Sequence, residues 1–380
     1  MIYIDVINEE YLKLLSQKKK KYISYIEILD EQENTIEEIK NSIVSGNINI
    51  EYKQGTTRTC SISVIFENDI LNSDSYFWVN RKFKIISGFS DGFDTFLFSQ
   101  GVFVVKDINT NGKLININGI DKFAYFTGEL NQGIAQGVYT VSAGTNIKSF
   151  IHDTILLSDG RQTVIDCKEL LIDSEFYETE LPYDISVNAG GNIGSILTET
   201  AYVCGADIYY NSQGNLTFSK AVNNYHYAPV QYDFSENDIF SLNLSVDLAK
   251  IINQITVSGA DENGRIYSYT AQNTNPVSPI NIYAVGIKEE APETSEACYN
   301  EERCKEYAEY KLRQKTLISC SAKIDCNIIP HLQANDVISV TCKKMNLDNE
   351  KFIVQSVSMP LNTGKMNINA CNIQYLNEVI

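Results

Sequence analysis

Long apolar runs are missing from this 380-residue chain. No stretch approaches the roughly 20 apolar residues that a membrane-spanning helix needs. The N-terminal Met1-Ile2-Tyr3-Ile4-Asp5-Val6 lacks the basic and then apolar segments of an export signal, so the chain is expected to stay in the cytoplasm where it is made. Basic residues are scarce as well: 31 Lys and Arg face 48 Asp and Glu, a net charge of −17. Affinity for nucleic acid rests on Lys and Arg displacing counterions, so this balance excludes a protein that grips phosphate backbones. An acidic surface repels DNA, which suits a conduit that a polyanion must traverse without sticking; acidic solubility accounts for the same charge. The one basic run, Lys18 to Lys21, reads as a solvated strand entry.

Catalytic and cofactor signatures are also few. There are only three His, and His152, His226 and His331 sit in no nucleophile elbow or cysteine-protease signature, although Cys167 follows His152 within a short stretch. No Gly-Lys-Ser/Thr phosphate loop occurs. Ala189-Gly190-Gly191-Asn192-Ile193-Gly194 follows a predicted strand at 184–187 and opens a helix, as a dinucleotide fingerprint does, but the first glycine is Ala189 and the surroundings are not a parallel α/β repeat. It reads as a structural turn. The nine cysteines, Cys60, Cys167, Cys204, Cys298, Cys304, Cys320, Cys326, Cys342 and Cys371, are odd in number and scattered, and are read as reduced thiols. Cys298 and Cys304 share their spacing with Cys320 and Cys326, and His331 follows, but zinc ligands usually lie two to four residues apart on tight turns. Acidic clusters at Glu31 to Glu38 and Glu289 to Glu302 read as solvated turns and helix starts. No catalytic residue, cofactor or metal is expected.

What is abundant is strand-period sequence. Hydrophobic residues make up 43% of the chain, with 23 Tyr and 16 Phe, a composition of packed sheets and contact surfaces, and 380 residues exceed one typical core. Residues 1–125 read as a β-rich domain. A short helix capped by Asn8 precedes a hairpin of Tyr22 to Leu29 and Thr35 to Ile39. Ile48, Ile50 and Tyr52 then alternate with polar residues, as do Cys60, Ile62, Val64 and Phe66, and further strands are predicted at 82–87, 96–98 into 101–106, and 113–118. In residues 126–240 the period becomes helical: Thr145 is the expected cap of a helix carrying Ile147, Phe150, Ile151 and Ile155 and ended by Ser158-Asp159-Gly160, and a second stripe runs from Ile193 to Cys204 and ends at Gly205. The two helices echo each other at Asn146-Ile147 and Asn192-Ile193, and at Thr154 and Thr200, through duplication or through a shared packing problem. Residues 241–380 return to strands: a hairpin turns at Asn263-Gly264, a charged helix spans Glu301 to Gln314, and Ala322, Ile324, Cys326 and Ile328 alternate with polar residues. Pro330 to Asp336 turns into Val337 to Cys342, and 351–359 pairs with 365–372.

This order of elements resembles the hub proteins of phage tails and baseplates, including those of contractile phages and phage-tail-like bacteriocins. The C-terminal series carries the likeness, as do Ser45-Gly46-Asn47-Ile48, Thr57-Arg58-Thr59-Cys60, Trp78-Val79-Asn80-Arg81-Lys82, Gly101 to Val105 and Asp121-Lys122, and the helix and hairpin from 193 to 218. The family usually has Gly-Asp before the Val337 strand where this chain has Asn335-Asp336, a mild change because Asn tolerates the left-handed region. The resemblance implies a β-rich α+β fold with two tail-tube-like β-domains, 1–125 and 241–380, the second with an inserted helix, around a helix-containing middle region, 126–240, with interleaving. It implies a homotrimer whose paired domains mimic a six-fold tube, with the tube protein, a central spike or tip protein and other baseplate proteins as partners, located at the tail tip. The chain stops a few residues after its last strand, which favours a separate spike protein. Two other functions fit a β-rich tail protein: a cell-wall hydrolase, which would lose activity on removal of one acidic or His residue, and a receptor-binding protein, which would hold cells by itself.

Overall fold

A computed structural model describes residues 1–377 apart from 18, 66–74, 157–165, 223, 262 and 363, and describes the backbone alone of 317–320. The N-terminal part contains β1 (Ile2–Ile4), α1 (Glu9–Ser16), β2 (Lys21–Leu29), β3 (Thr35–Lys40), β4 (Ile43–Glu51), β5 (Arg58–Ile65), β6 (Lys82–Ser90), β7 (Thr95–Asn111), β8 (Leu114–Asp121) and α2 (Ala124–Thr127). The middle contains β9 (Tyr139–Val141), α3 (Ile147–Ile155), β10 (Leu171–Ile172), β11 (Ile185–Val187), α4 (Ile193–Cys204), β12 (Ala206–Tyr210), β13 (Leu216–Lys220) and β14 (Val230–Phe234). The rest is β15 (Ile239–Val246), β16 (Gln254–Ala260), β17 (Ile266–Gln272), α5 (Ile282–Val285), β18 (Glu293–Thr294), α6 (Glu301–Ser319), β19 (Cys320–Cys326), β20 (Val337–Cys342), β21 (Leu347–Pro360) and β22 (Met366–Asn372). The fold is β-rich with few helices, as the alternating segments predict.

Local chemistry explains most boundaries. The Asn8 side chain accepts from the Tyr11 N–H and starts α1. The start of α3 differs from the expectation: Asn146, not Thr145, is the cap, accepting from the Ser149 N–H. Asn192 does the same for α4 with Ser195, so the sequence echo is an echo of caps, and Thr154 and Thr200 both turn buried hydroxyls onto carbonyls one turn back. Gly205 ends α4 at φ 62°. The predicted stop at Ser158-Asp159-Gly160 and the strand end at Phe66 lie outside the described residues. The two segments expected before residue 106 are one strand, β7, because Gly101, at φ 139°, lets the chain kink without leaving the sheet.

Strands from both ends of the chain join in a 14-stranded sheet, following β15-β19-β22-β21-β4-β5-β8-β7-β6-β2-β3. Within it the order β6-β7-β8-β5-β4 recurs as β20-β21-β22-β19-β15, with every neighbour antiparallel in both. Register ties the copies residue by residue. Ile108, Ile117, Ile62 and Gly46 lie opposite one another across the first unit as Val357, Ile368, Ile324 and Leu242 do across the second. The irregularities coincide too: between Val105 and Asp107 as between Val354 and Ser356, and between Ile43 and Ser45 as between Ile239 and Ser241. Asn80 (φ 62°) and Asn335 (φ 73°) occupy matching turns, after which the Arg81 and Asp336 carbonyls accept from Val105 and Val354. The left-handed Asn335 accounts for the absence of the family's glycine.

The two units are joined rather than separate. β21 pairs with β4, from Ser356 opposite Glu51 to Pro360 opposite Asn47, and one apolar core runs from Ile26, Ile62 and Phe103 of the first unit to Ile324, Val357 and Ile368 of the second. A second core packs α3, α4, β12 and β13 with Ile255, Val257, Ala271, Cys304 and Leu312. The hairpin β16–β17 and helix α6 therefore pack with the middle region, although they interrupt the second β-unit in sequence.

Candidate functional site

Strand alternation gives the joined sheet two unlike faces. One carries the core; the other presents Asn47, Asn49, Thr59, Ser61, Ser63, Asp107, Asn109, Asn116, Asn118, Ser356, Ser358, Asn367, Asn369, Ser321, Lys323, Asp325, Ser241, Asn243 and Ser245. Short neutral side chains dominate it, and they bond to one another across strands. Asn47 Nδ2 donates to Asn49 Oδ1 and to Ser358 Oγ, both at 2.8 Å, and Ser358 Oγ donates to Asn49 Oδ1 at 2.8 Å, so the seam between the units is laced on its polar side. Asn118 Nδ2 meets Asp107 Oδ1 at 2.7 Å, and Asn369 Nδ2 meets Ser356 Oγ at 2.8 Å. These cross-strand hydrogen bonds hold the polar side chains in place.

Buried polar groups fasten the middle region to this sheet. Arg58 on β5 donates to the Gln100 carbonyl at 3.2 Å, the Tyr210 carbonyl at 3.4 Å and Gln333 Oε1 at 2.6 Å, reaching both units and the middle region from one guanidinium. Asp207 of β12 accepts from Gln54 Nε2 at 2.8 Å and Tyr52 OH at 3.1 Å; burial raises its pKa to about 6, partly offset by those bonds. Lys122 is fully buried and donates to Glu33 Oε1 and Asp166 Oδ1, each at 2.7 Å, while Lys82 reaches Glu33 at 2.9 Å. Burial pushes the Glu33 carboxyl up, but Lys122 and then Lys82 outweigh it and hold it below the ordinary value. Glu33 belongs to the acidic cluster expected to be solvated, so that reading is corrected: the turn between β2 and β3, at φ 61°, directs it inward. Its partners lie 49 and 89 residues away, and no local pattern announces them.

The residues singled out for chemistry do not converge among the described residues. Ala189 to Gly194 forms the turn into α4, but the strand before it, β11, pairs antiparallel with β9, which is not the parallel setting of a nucleotide fold. Cys298 and Cys304 lie in the second core, where the Cys304 thiol meets the Cys298 carbonyl at 3.6 Å; Cys326 lies in the first, against the Met366 carbonyl, and the Cys320 side chain is outside the described residues. His331 packs beside Tyr11, whose hydroxyl is 2.7 Å from Nδ1. His152 is exposed beside Asp153, and the His226 carbonyl accepts from Lys351. Glu33, Asp166 and Cys167 could converge on a cation, but Lys82 and Lys122 already neutralise the carboxylates. Of the basic run, Lys18 lies outside the described residues, Lys20 reaches back to the Leu15 carbonyl and covers the Phe89 ring, and Lys21 opens β2.

No protein-family model matches the chain, and no curated protein sequence does. Solved structures do. A tail protein from Neisseria meningitidis MC58 superposes with a TM-score of 0.64 at 10% identity over 93% of this chain and 96% of its own. A 43 kDa tail protein of prophage MuSo2 from Shewanella oneidensis gives 0.58 at 12% identity, covering 92% and 98%. The prophage tail protein gp18 from Listeria monocytogenes EGD-e gives 0.56 at 13% identity, covering 91% and 94%. The chain has the fold of phage tail proteins, over nearly its whole length.

Proposed function

We propose that the protein is the hub of a phage tail or phage-tail-like particle, a structural part without catalytic function. Three copies close into a ring about the tail axis, and their six β-units continue a six-fold tube on one side while the ring offers three-fold symmetry to a central spike or tip on the other. The observation that carries this reading is the repeat of one strand order in a single chain, joined edge to edge at β21–β4, with a face of mostly short polar side chains running across both units. A trimer matches a hexamer only if each chain supplies two equivalent surfaces. The polar face then lines the lumen, and the net charge of −17 lets DNA pass without binding. The partners are the tube protein, the spike or tip protein and other baseplate proteins, met during assembly in the host cytoplasm. A contractile tail, in a prophage or a bacteriocin particle, is the setting we favour.

Quantitative mass spectrometry of purified particles tests the assignment. Three copies per particle, in complexes with tube and spike proteins after mild dissociation, are expected; six copies, or release with peripheral fibres, would contradict it.

A further inference from the structure

Among the described residues, the seam between the two units has an unpaired counterpart at each end of the repeat. β21 is covered by β20 along its first half, and its second half pairs with β4. The equivalent strand, β7, is covered by β6 only as far as Val104; beyond the bond from Val105 to Arg81, residues 106–111 pair with β8 on one edge and, among the described residues, with no strand on the other. The equivalent of β4 is β15, which pairs with β19 on one edge and, among the described residues, ends the sheet on the other. Exposed sheet edges of this kind are usually blunted by charge or proline. Here Leu242, Leu244 and Val246 alternate with Ser241, Asn243 and Ser245 along β15, with neither. Leu244 is 38% exposed, whereas its equivalent Ile48, covered by β21, is 0% exposed.

Resting on the ring reading, we propose that β15 of one copy pairs antiparallel with residues 106–111 of a second copy, repeating the internal seam. Carrying the internal register across gives the contacts: Ile108 opposite Val246, Asn109 opposite Ser245, Thr110 opposite Leu244, and Asn111 opposite Asn243, as Val357, Ser358, Met359 and Pro360 face Ile50, Asn49, Ile48 and Asn47. The polar lacing repeats as well, since Asn109 falls between Asn243 and Ser245 as Ser358 falls between Asn47 and Asn49. The like-charged pair in this register, Asp107 opposite Asp247, stands at the end of the strand pair, where it is solvated. Each copy thus has one donor edge and one different acceptor edge. The contact is heterologous and closes into a ring once the rotation between units is a simple fraction of a turn.

A chain carrying Asn109→Cys and Ser245→Cys tests this. Directly opposed antiparallel residues have Cα atoms about 4.5–5.5 Å apart, within disulfide reach. Oxidation of the concentrated protein, with the wild type as control, is expected to give a covalent ladder ending at a closed trimer. Adding Leu244→Lys at the exposed edge should abolish the ladder while circular dichroism stays native. Sedimentation to a trimer with no Asn109–Ser245 disulfide, or an equal yield from Asn109→Cys with Ser241→Cys, overturns the junction and leaves the ring intact. A monomer with no disulfide at any concentration overturns it as a property of the chain alone, while the ring reading is judged by copy number in the particle.

Discussion

Replacing Lys122 by Met keeps most of the side-chain stem and deletes the ammonium that bridges Glu33 and Asp166. Lys122 and the carboxylates of both partners are fully buried, so solvent screens none of the loss. Glu33 keeps Lys82, but Asp166, beside the Tyr210 hydroxyl and the backbone N–H of Lys168 at 2.9 Å, is left without a cationic partner among the described residues. Breaking a buried pair from one side costs about 3–5 kcal/mol. Lys122→Met is therefore expected to lose about that much, and Lys122→Met with Asp166→Asn to recover most of it, because the remaining Lys82–Glu33 pair is neutral. Urea unfolding followed by circular dichroism and by Trp78 fluorescence gives the numbers, provided the two transitions coincide. A single substitution costing under about 1 kcal/mol, or a double substitution no better than the single, would refute the claim that this network anchors the middle region.

Acidification gives a second check. Asp207 titrates at about 6 when folded and at about 3.9 when unfolded, so between those values only the folded chain keeps the proton; its contribution to stability grows as pH falls from 7 towards 4. Asp207→Asn should shrink the difference in unfolding free energy between pH 5 and pH 7 by about 1 kcal/mol, and an unchanged difference would contradict the assignment. Gly119 on β8 leaves no room for a side chain, since a Cβ would lie 2.7 Å from Cys60 Sγ and 2.8 Å from Phe83 Cζ, and Gly119→Ala should cost about 1–3 kcal/mol in urea unfolding. Under native conditions a thiol reagent should modify exposed Cys167 first and half-buried Cys204 next, with buried Cys60, Cys298, Cys304, Cys326, Cys342 and Cys371 reacting only on unfolding; stoichiometric zinc or a disulfide in unreduced protein would overturn that picture.

Much of the sheet was legible because period-two alternation is a direct record of one buried face: Ile48 and Ile50, Ile62 and Val64, and Ala322, Ile324 and Cys326 all lie in the core. β15 carries the same alternation at Leu242, Leu244 and Val246, but it falls at the boundary near residue 240, and among the described residues it pairs with β19 alone. The two strand-rich ends predict two separate β-domains of similar shape; the structure repeats one strand order in both but joins them in one sheet, and the register depends on pairings across long separations, as in Ile62 with Ile117 and Leu242 with Ile324. The ion network was illegible for the same reason. Glu33 looks like one more acid in an exposed turn, and only the fold places it between Lys82 and Lys122.

A reconstruction of the intact particle at a resolution that traces strands tests the central claim most directly. The account predicts three copies on the tail axis, with Asn47, Asn49, Asn109 and Ser358 facing the lumen and six β-units stacked on the last ring of the tube. Copies at the periphery, or a ring whose polar sheet face points outward, would contradict it.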